Sequence, residues 1–168
     1  MQRKQMRQFL TATLFLALCV GPLAPAAGAD PPRPADRAAI KACIKERTAR
    51  EEPVERCVDA LAVPCLDKPE SFSTQGQAAC FWREHAVWDA TLNENYRKLM
   101  DRLDDAQKKA LRDAQRAWIA SRDKSCHFFH DFFEGGTMAI PLSASCISAE
   151  TGRRALYLKQ FIFDEANR

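Results

Sequence analysis

The chain has 168 residues, 46% of them hydrophobic, with 25 Lys+Arg against 22 Asp+Glu. That length predicts one domain with a usable core. Three of the basic residues, Arg3, Lys4 and Arg7, sit in an N-terminal leader; without them 22 basic residues face 22 acidic ones, and a net charge of zero excludes generic affinity for nucleic acid or an anionic membrane.

The leader reads as a secretory signal peptide over residues 1–29. Its basic start is followed by an apolar run over 9–20, ended by Pro22 and Pro25, and Ala27-Gly28-Ala29 fits small-x-small cleavage before Asp30. The run is shorter than the roughly 20 residues of a membrane span. Leu18 is too large for the position before an acylated Cys19, so the reading is a periplasmic or secreted protein without a lipid anchor. The mature chain keeps Cys43, Cys57, Cys65, Cys80, Cys126 and Cys146. An even number in an exported chain predicts disulfides. The simplest pairing joins neighbours, Cys43 with Cys57, Cys65 with Cys80 and Cys126 with Cys146, and interleaving among the first four competes with it.

Residues 30–35 form a proline-rich flexible leader. Residues 36–72 are a cysteine-bearing helical segment: Asp36 caps a helix through Ile40, Cys43 and Ile44 to about residue 50, Glu51 to Pro53 break it, and a short helix over 54–62 ends before Pro64. A loop over 66–76 follows. Residues 73–168 form the main helical domain. Ser73 or Thr74 starts a long helix with Phe81, His85, Trp88, Leu92, Tyr96, Leu99 and Leu103 on one stripe. Asp104 and Gln107 have capping-box spacing for the next helix, which carries Leu111, Ala114, Gln115, Trp118 and Arg122 on one face. So short a connection predicts antiparallel neighbours. Phe128, Phe129, Phe132 and Phe133 predict a short helix packed under this hairpin, ended at Glu134-Gly135-Gly136-Thr137. Ser148 is expected to cap a last helix through Thr151, Arg154, Leu158 and Ile162. No segment has strand periodicity. The fold class is all-α: a small disulfide-stapled bundle built on a long antiparallel helical hairpin.

Four polar residues flank Trp88 and Trp118 of the hairpin: Asp89, Asn93, Gln115 and Arg122. Unpaired polar groups in a core cost about 1–3 kcal/mol each, so they are expected to satisfy one another, with Arg122 pairing with Asp89 and lying over an indole face. Reactive chemistry finds little support. Cys126, His127 and His130 lack a fourth ligand for zinc, there is no Cys-x-x-Cys pair, and no Gly-x-Ser-x-Gly turn accompanies Ser121 or Ser125. Glu84 and Asp89 point about 140° apart on a helix. No phosphate loop or dinucleotide fingerprint occurs. The chain is read as a non-enzyme with no catalytic residue, no cofactor and no metal; a hydrolase or metal enzyme using His127 and His130 ranks last.

The order of motifs resembles a family. Trp88-Asp89-x-x-Leu92-Asn93-x-x-Tyr96 is followed by Leu111-x-x-x-Gln115-x-x-Trp118-x-x-x-Arg122-Asp123-x-x-Cys126, then Gly135-Gly136-Thr137, Cys146 and Thr151-x-x-Arg154. This is similar to the lysozyme inhibitor LprI N-terminal-like family, over roughly residues 80–158, and the segment from Cys43 to Cys65 resembles an extra cysteine-bearing piece of some relatives. The resemblance implies a small helical envelope protein with a protein partner, a lysozyme in the case of a founding relative that is a lipoprotein. The family positions Asp89, Asn93, Tyr96, Gln115, Trp118, Arg122, Thr151 and Arg154 read as a structural network. Gly135, Gly136 and Thr137 read either as a partner-binding loop that enters a sugar-binding cleft or as a helix-ending turn. The alternative function is a structural or stress-related envelope protein that inhibits no lysozyme.

Overall fold

The computed structural model describes residues 31–166, with side chains as far as Ile162. The expected signal peptide and Cys19 lie outside the described residues. Five α-helices follow in order: α1 (Pro34–Ala49), α2 (Ala62–Leu66), α3 (Thr74–Met100), α4 (Asp105–Phe132) and α5 (Ala139–Ala166), with 3-10 turns at Val54–Cys57 and Pro69–Ser71. The described residues contain no strand. The all-α class is as the sequence predicts.

Local chemistry sets the long helices. The Ser73 hydroxyl accepts from the Gly76 amide at 3.0 Å and starts α3. Asp104 accepts from the Gln107 amide at 2.8 Å while the Gln107 side chain accepts from the Asp104 amide at 3.0 Å, the reciprocal box that starts α4. The three neighbour disulfides form, with Cα–Cα separations of 5.8 Å for Cys43–Cys57, 5.7 Å for Cys65–Cys80 and 5.4 Å for Cys126–Cys146.

The hairpin of α3 and α4 is present, but its arms make their main contacts with α5 rather than with each other. Trp88 on α3 is fully buried. Gly152 on α5 explains how closely the two helices approach: a Cβ built there would lie 3.1 Å from the Trp88 indole. Leu92, Leu99, Ala155, Leu156 and Leu158 continue this core, and Ile40 and Ile44 of α1 cover its other flank. Burial of these side chains is worth about 1.5–3 kcal/mol for each large residue before entropy is counted.

Several boundaries differ from expectation. Asp36 does not cap α1; the helix starts at Pro34, whose fixed φ suits a first turn. Asp36 is instead buried between helices, accepting from Arg83 at 2.6 and 2.9 Å and from Arg33 at 2.8 Å. The expected short helix over 54–62 is a 3-10 turn, and Pro64 lies inside α2 instead of ending a helix; in a first turn its missing N–H has no partner to lose. Likewise α5 starts at Ala139 rather than at Ser148, which is buried mid-helix, and Pro141 falls within the first turn. Finally, α4 runs unbroken as far as Phe132, with Phe133 at its C-cap, and Phe128 and Phe132 are 58% and 66% exposed rather than covered.

Candidate protein-binding site

The polar family positions do gather, but around Trp118 and not across the α3–α4 seam. Arg122 lies 4.9 Å from the Trp118 ring centroid and Arg154 lies 5.6 Å from it, so two guanidinium groups stack on one indole. Arg154 donates to Gln115 at 2.9 Å and also lies 5.2 Å from the Tyr157 ring. Burial lowers the Arg154 pKa from its ordinary value. Arg122 donates to the Thr151 hydroxyl at 3.2 Å, and that hydroxyl donates to the Ile147 carbonyl at 2.7 Å. The network therefore fastens α4 to α5.

The expected Arg122–Asp89 pair is corrected by this arrangement. Arg122 takes its neighbour Asp123 at 2.7 and 2.9 Å, and α3 and α4 each pack mainly on α5 rather than on each other. Asp89 accepts instead from Asn93, one turn along α3, at 3.0 Å. Tyr96 is half-buried against the core. His85 makes an edge-on contact with Trp82, ring centroids 5.4 Å apart. Burial lowers its pKa first, with Arg122 adding to that effect and Asp89 opposing it.

Sequence reasoning missed the most heavily bonded carboxylate. Glu84 is fully buried on α3. It accepts from the amides of Asp59, Leu61 and Ala62 at 2.6, 2.8 and 2.8 Å and from the Trp88 indole N–H at 2.7 Å. It thereby docks the start of α2 onto α3. Glu84 and Trp88 are one helical turn apart, which was the available signal; the three amides lie more than 20 residues away and gave none. Asp59, held at a positive φ of 72° beside this group, has its pKa raised, first by burial and then by the Glu84 charge.

Gly135, Gly136 and Thr137 form an exposed turn between α4 and α5. Glu134 and Gly135 take positive φ values of 48° and 75°, and the Gly135 amide donates to the His130 carbonyl at 2.9 Å, which closes the end of α4 as glycine-ended helices do. A helix-terminating turn is thus what these residues build. Around it stand exposed Phe128, Phe132 and Met138, with Phe128 and Phe132 rings 5.9 Å apart. His127 and His130 ring centroids are 5.2 Å apart, and among the described residues no group of three or more His, Cys, Asp and Glu is placed to hold a metal. The Cys126–Cys146 bridge spans the turn, with a Ser143 hydroxyl donating to the Cys126 carbonyl at 3.0 Å beside it.

The model of the family described as Lysozyme inhibitor LprI matches residues 65–158, more than half of the chain. The chain belongs to the LprI family. The LprI match takes in the Trp118 network, the turn and two disulfides, and leaves α1 and the Cys43–Cys57 bridge outside. An uncharacterized protein of Rhizobium meliloti (strain 1021) is 29% identical over 101 residues, covering 52% of this chain and 73% of that protein. No solved structure matches.

Proposed function

We propose that this LprI-family chain is an exported, non-enzymatic protein-binding module that inhibits a lysozyme, using the turn at Gly135, Gly136 and Thr137 as the inserted loop. The observation that carries this reading is the pair of exposed phenylalanines beside that turn. Exposed aromatic side chains on a fixed frame are the usual anchors of protein interfaces. The Cys126–Cys146 bridge holds both ends of the segment, so little order has to be gained on binding. Exposed Asp131 and Glu134 flank the turn and give it a local negative charge suited to a basic partner. In this reading residues 1–29 are a signal peptide removed before Asp30, 30–35 lead into the fold, 36–72 are an added cysteine-bearing segment, and 73–168 are the binding domain, released to the periplasm or outside the cell.

Clearing of a bacterial cell-wall suspension by lysozyme tests the proposal. The purified mature protein should slow clearing at near-stoichiometric amounts. Phe132→Asp should weaken inhibition by about tenfold or more, the loss of one aromatic anchor. Unchanged clearing with the wild-type protein removes lysozyme as the partner and favours an envelope interaction module without inhibition. The zero net charge of the mature chain supports that second reading, since it offers little long-range steering toward basic lysozymes.

A further inference from the structure

Asp59 and Glu84 bring two carboxyl groups to one joint. The Asp59 amide donates to Glu84 at 2.6 Å, so the two residues are in direct contact. All four donors on Glu84 are neutral N–H groups, which bond its carboxylate without cancelling the charge. Asp59 has less support. Its Oδ1 is buried and has no hydrogen-bond partner. The charged side chains that act on Asp59 among the described residues are Glu84 of α3 and Arg153 of α5. Arg153 is more than half exposed and is already bonded to Glu150 at 2.6 Å. We propose that this joint is a clasp that acid tightens: the link over residues 58–64 sits loosest on α3 when both carboxyls are ionised, and it closes when Asp59 takes up a proton.

The place of the joint confines its movement. Cys57 belongs to one disulfide and Cys65 to the next, so the link between them is anchored at both ends. Glu84 accepts from three amides of that link, those of Asp59, Leu61 and Ala62. Like charges at close range disfavour joint ionisation, and here the repulsion is relieved by local opening of the link, with the bridges and the helical core left in place. The link precedes the LprI match, which begins at residue 65, and Glu84 lies inside it. The clasp therefore joins the added segment to the family fold. Burial first, and then the Glu84 charge, raise the Asp59 pKa above its ordinary 3.8, while Arg153 opposes them. With a raised pKa the folded chain holds the proton more tightly than the unfolded chain does. Its contribution to stability is complete below 3.8 and is lost as pH rises through the raised value.

Amide hydrogen exchange and thermal unfolding of the purified mature protein test the clasp against Asp59→Asn. Asn is a neutral near-isostere that tolerates the φ of 72° at this position. With intrinsic exchange rates divided out, protection of the Leu61 and Ala62 amides should rise severalfold from pH 7 to pH 4 in the wild type and show no such rise in Asp59→Asn. At pH 7 the thermal midpoint of Asp59→Asn should exceed that of the wild type by about 2–4 °C, and at pH 4 the two midpoints should coincide. Taking the difference between the two proteins at each pH removes the titration of every other group. A midpoint of Asp59→Asn at or below the wild type at pH 7, a gap that persists unchanged at pH 4, or wild-type protection at Leu61 and Ala62 that does not respond to pH would each overturn the proposal.

Discussion

Glu84 is the residue on which the N-terminal half of the molecule turns. Four donors point at one buried carboxylate. In Glu84→Gln the amide keeps a single acceptor oxygen and turns an NH2 toward N–H donors. Urea unfolding should show a loss of about 3 kcal/mol, since bonds to a charged group are worth about 1.5–3 kcal/mol and orphaned donors add to it. His85 makes a second prediction. Its folded pKa lies below the ordinary imidazole value, so the unfolded chain binds more protons near and below pH 6.5, and stability falls as pH drops through about 6.5. Unfolding midpoints measured from pH 8 to 5 should decline for the wild type and be flatter for His85→Asn. The sequence placed Trp88, Leu92 and Leu99 on the buried stripe, because helical period is written in side-chain spacing; Phe81 and His85 fall at its half-buried edge, and Glu84, Val87 and Asn95 take the buried positions instead. It could not place Glu84, whose carboxyl oxygens accept from backbone amides that no side-chain pattern records.

At the level of elements, α5 decides the architecture. Helix caps at Ser73 and Asp104 were legible because capping uses residues three apart. The beginning of α5 was not: Ser148 has cap chemistry but sits mid-helix, and the actual first turn holds Pro141, a residue more often read as a stop. The Arg122–Asp89 pairing failed because both arms take α5 as their main packing partner, a preference the sequence of the arms does not record. Gly152 makes the close approach of α3 and α5 possible. Gly152→Ala should gain about 1 kcal/mol of helix propensity but press a methyl group against the Trp88 indole, where overpacking costs about 1–3 kcal/mol. The net expectation is a loss of about 1 kcal/mol, read as a lower thermal midpoint; Gly152→Leu should lose the fixed near-UV signal of Trp88.

At the level of the whole molecule, three short disulfide loops staple successive parts of the chain. The Cys126–Cys146 bridge closes a loop of 20 residues that contains the exposed turn. Replacing both cysteines by serine should cost about 3 kcal/mol and should weaken any partner binding by the turn more than Cys43→Ser/Cys57→Ser does, as titration of both variants against lysozyme would show. The neighbour pairing was legible as the simplest choice; the function of the turn is less so, because the same glycines that could enter a cleft also end a helix.

Packing on α5 also sets the order in which the interior can close. α3 and α4 emerge first during synthesis, and each leaves a greasy side without a mate until the later helix arrives. Non-local closure of this kind delays collapse until distant segments meet. A nascent chain stopped before Ala139 should therefore remain open to protease and leave its indoles wet. Under the proposed export, late completion keeps the strand pliable until transit is over and the thiols can be oxidised.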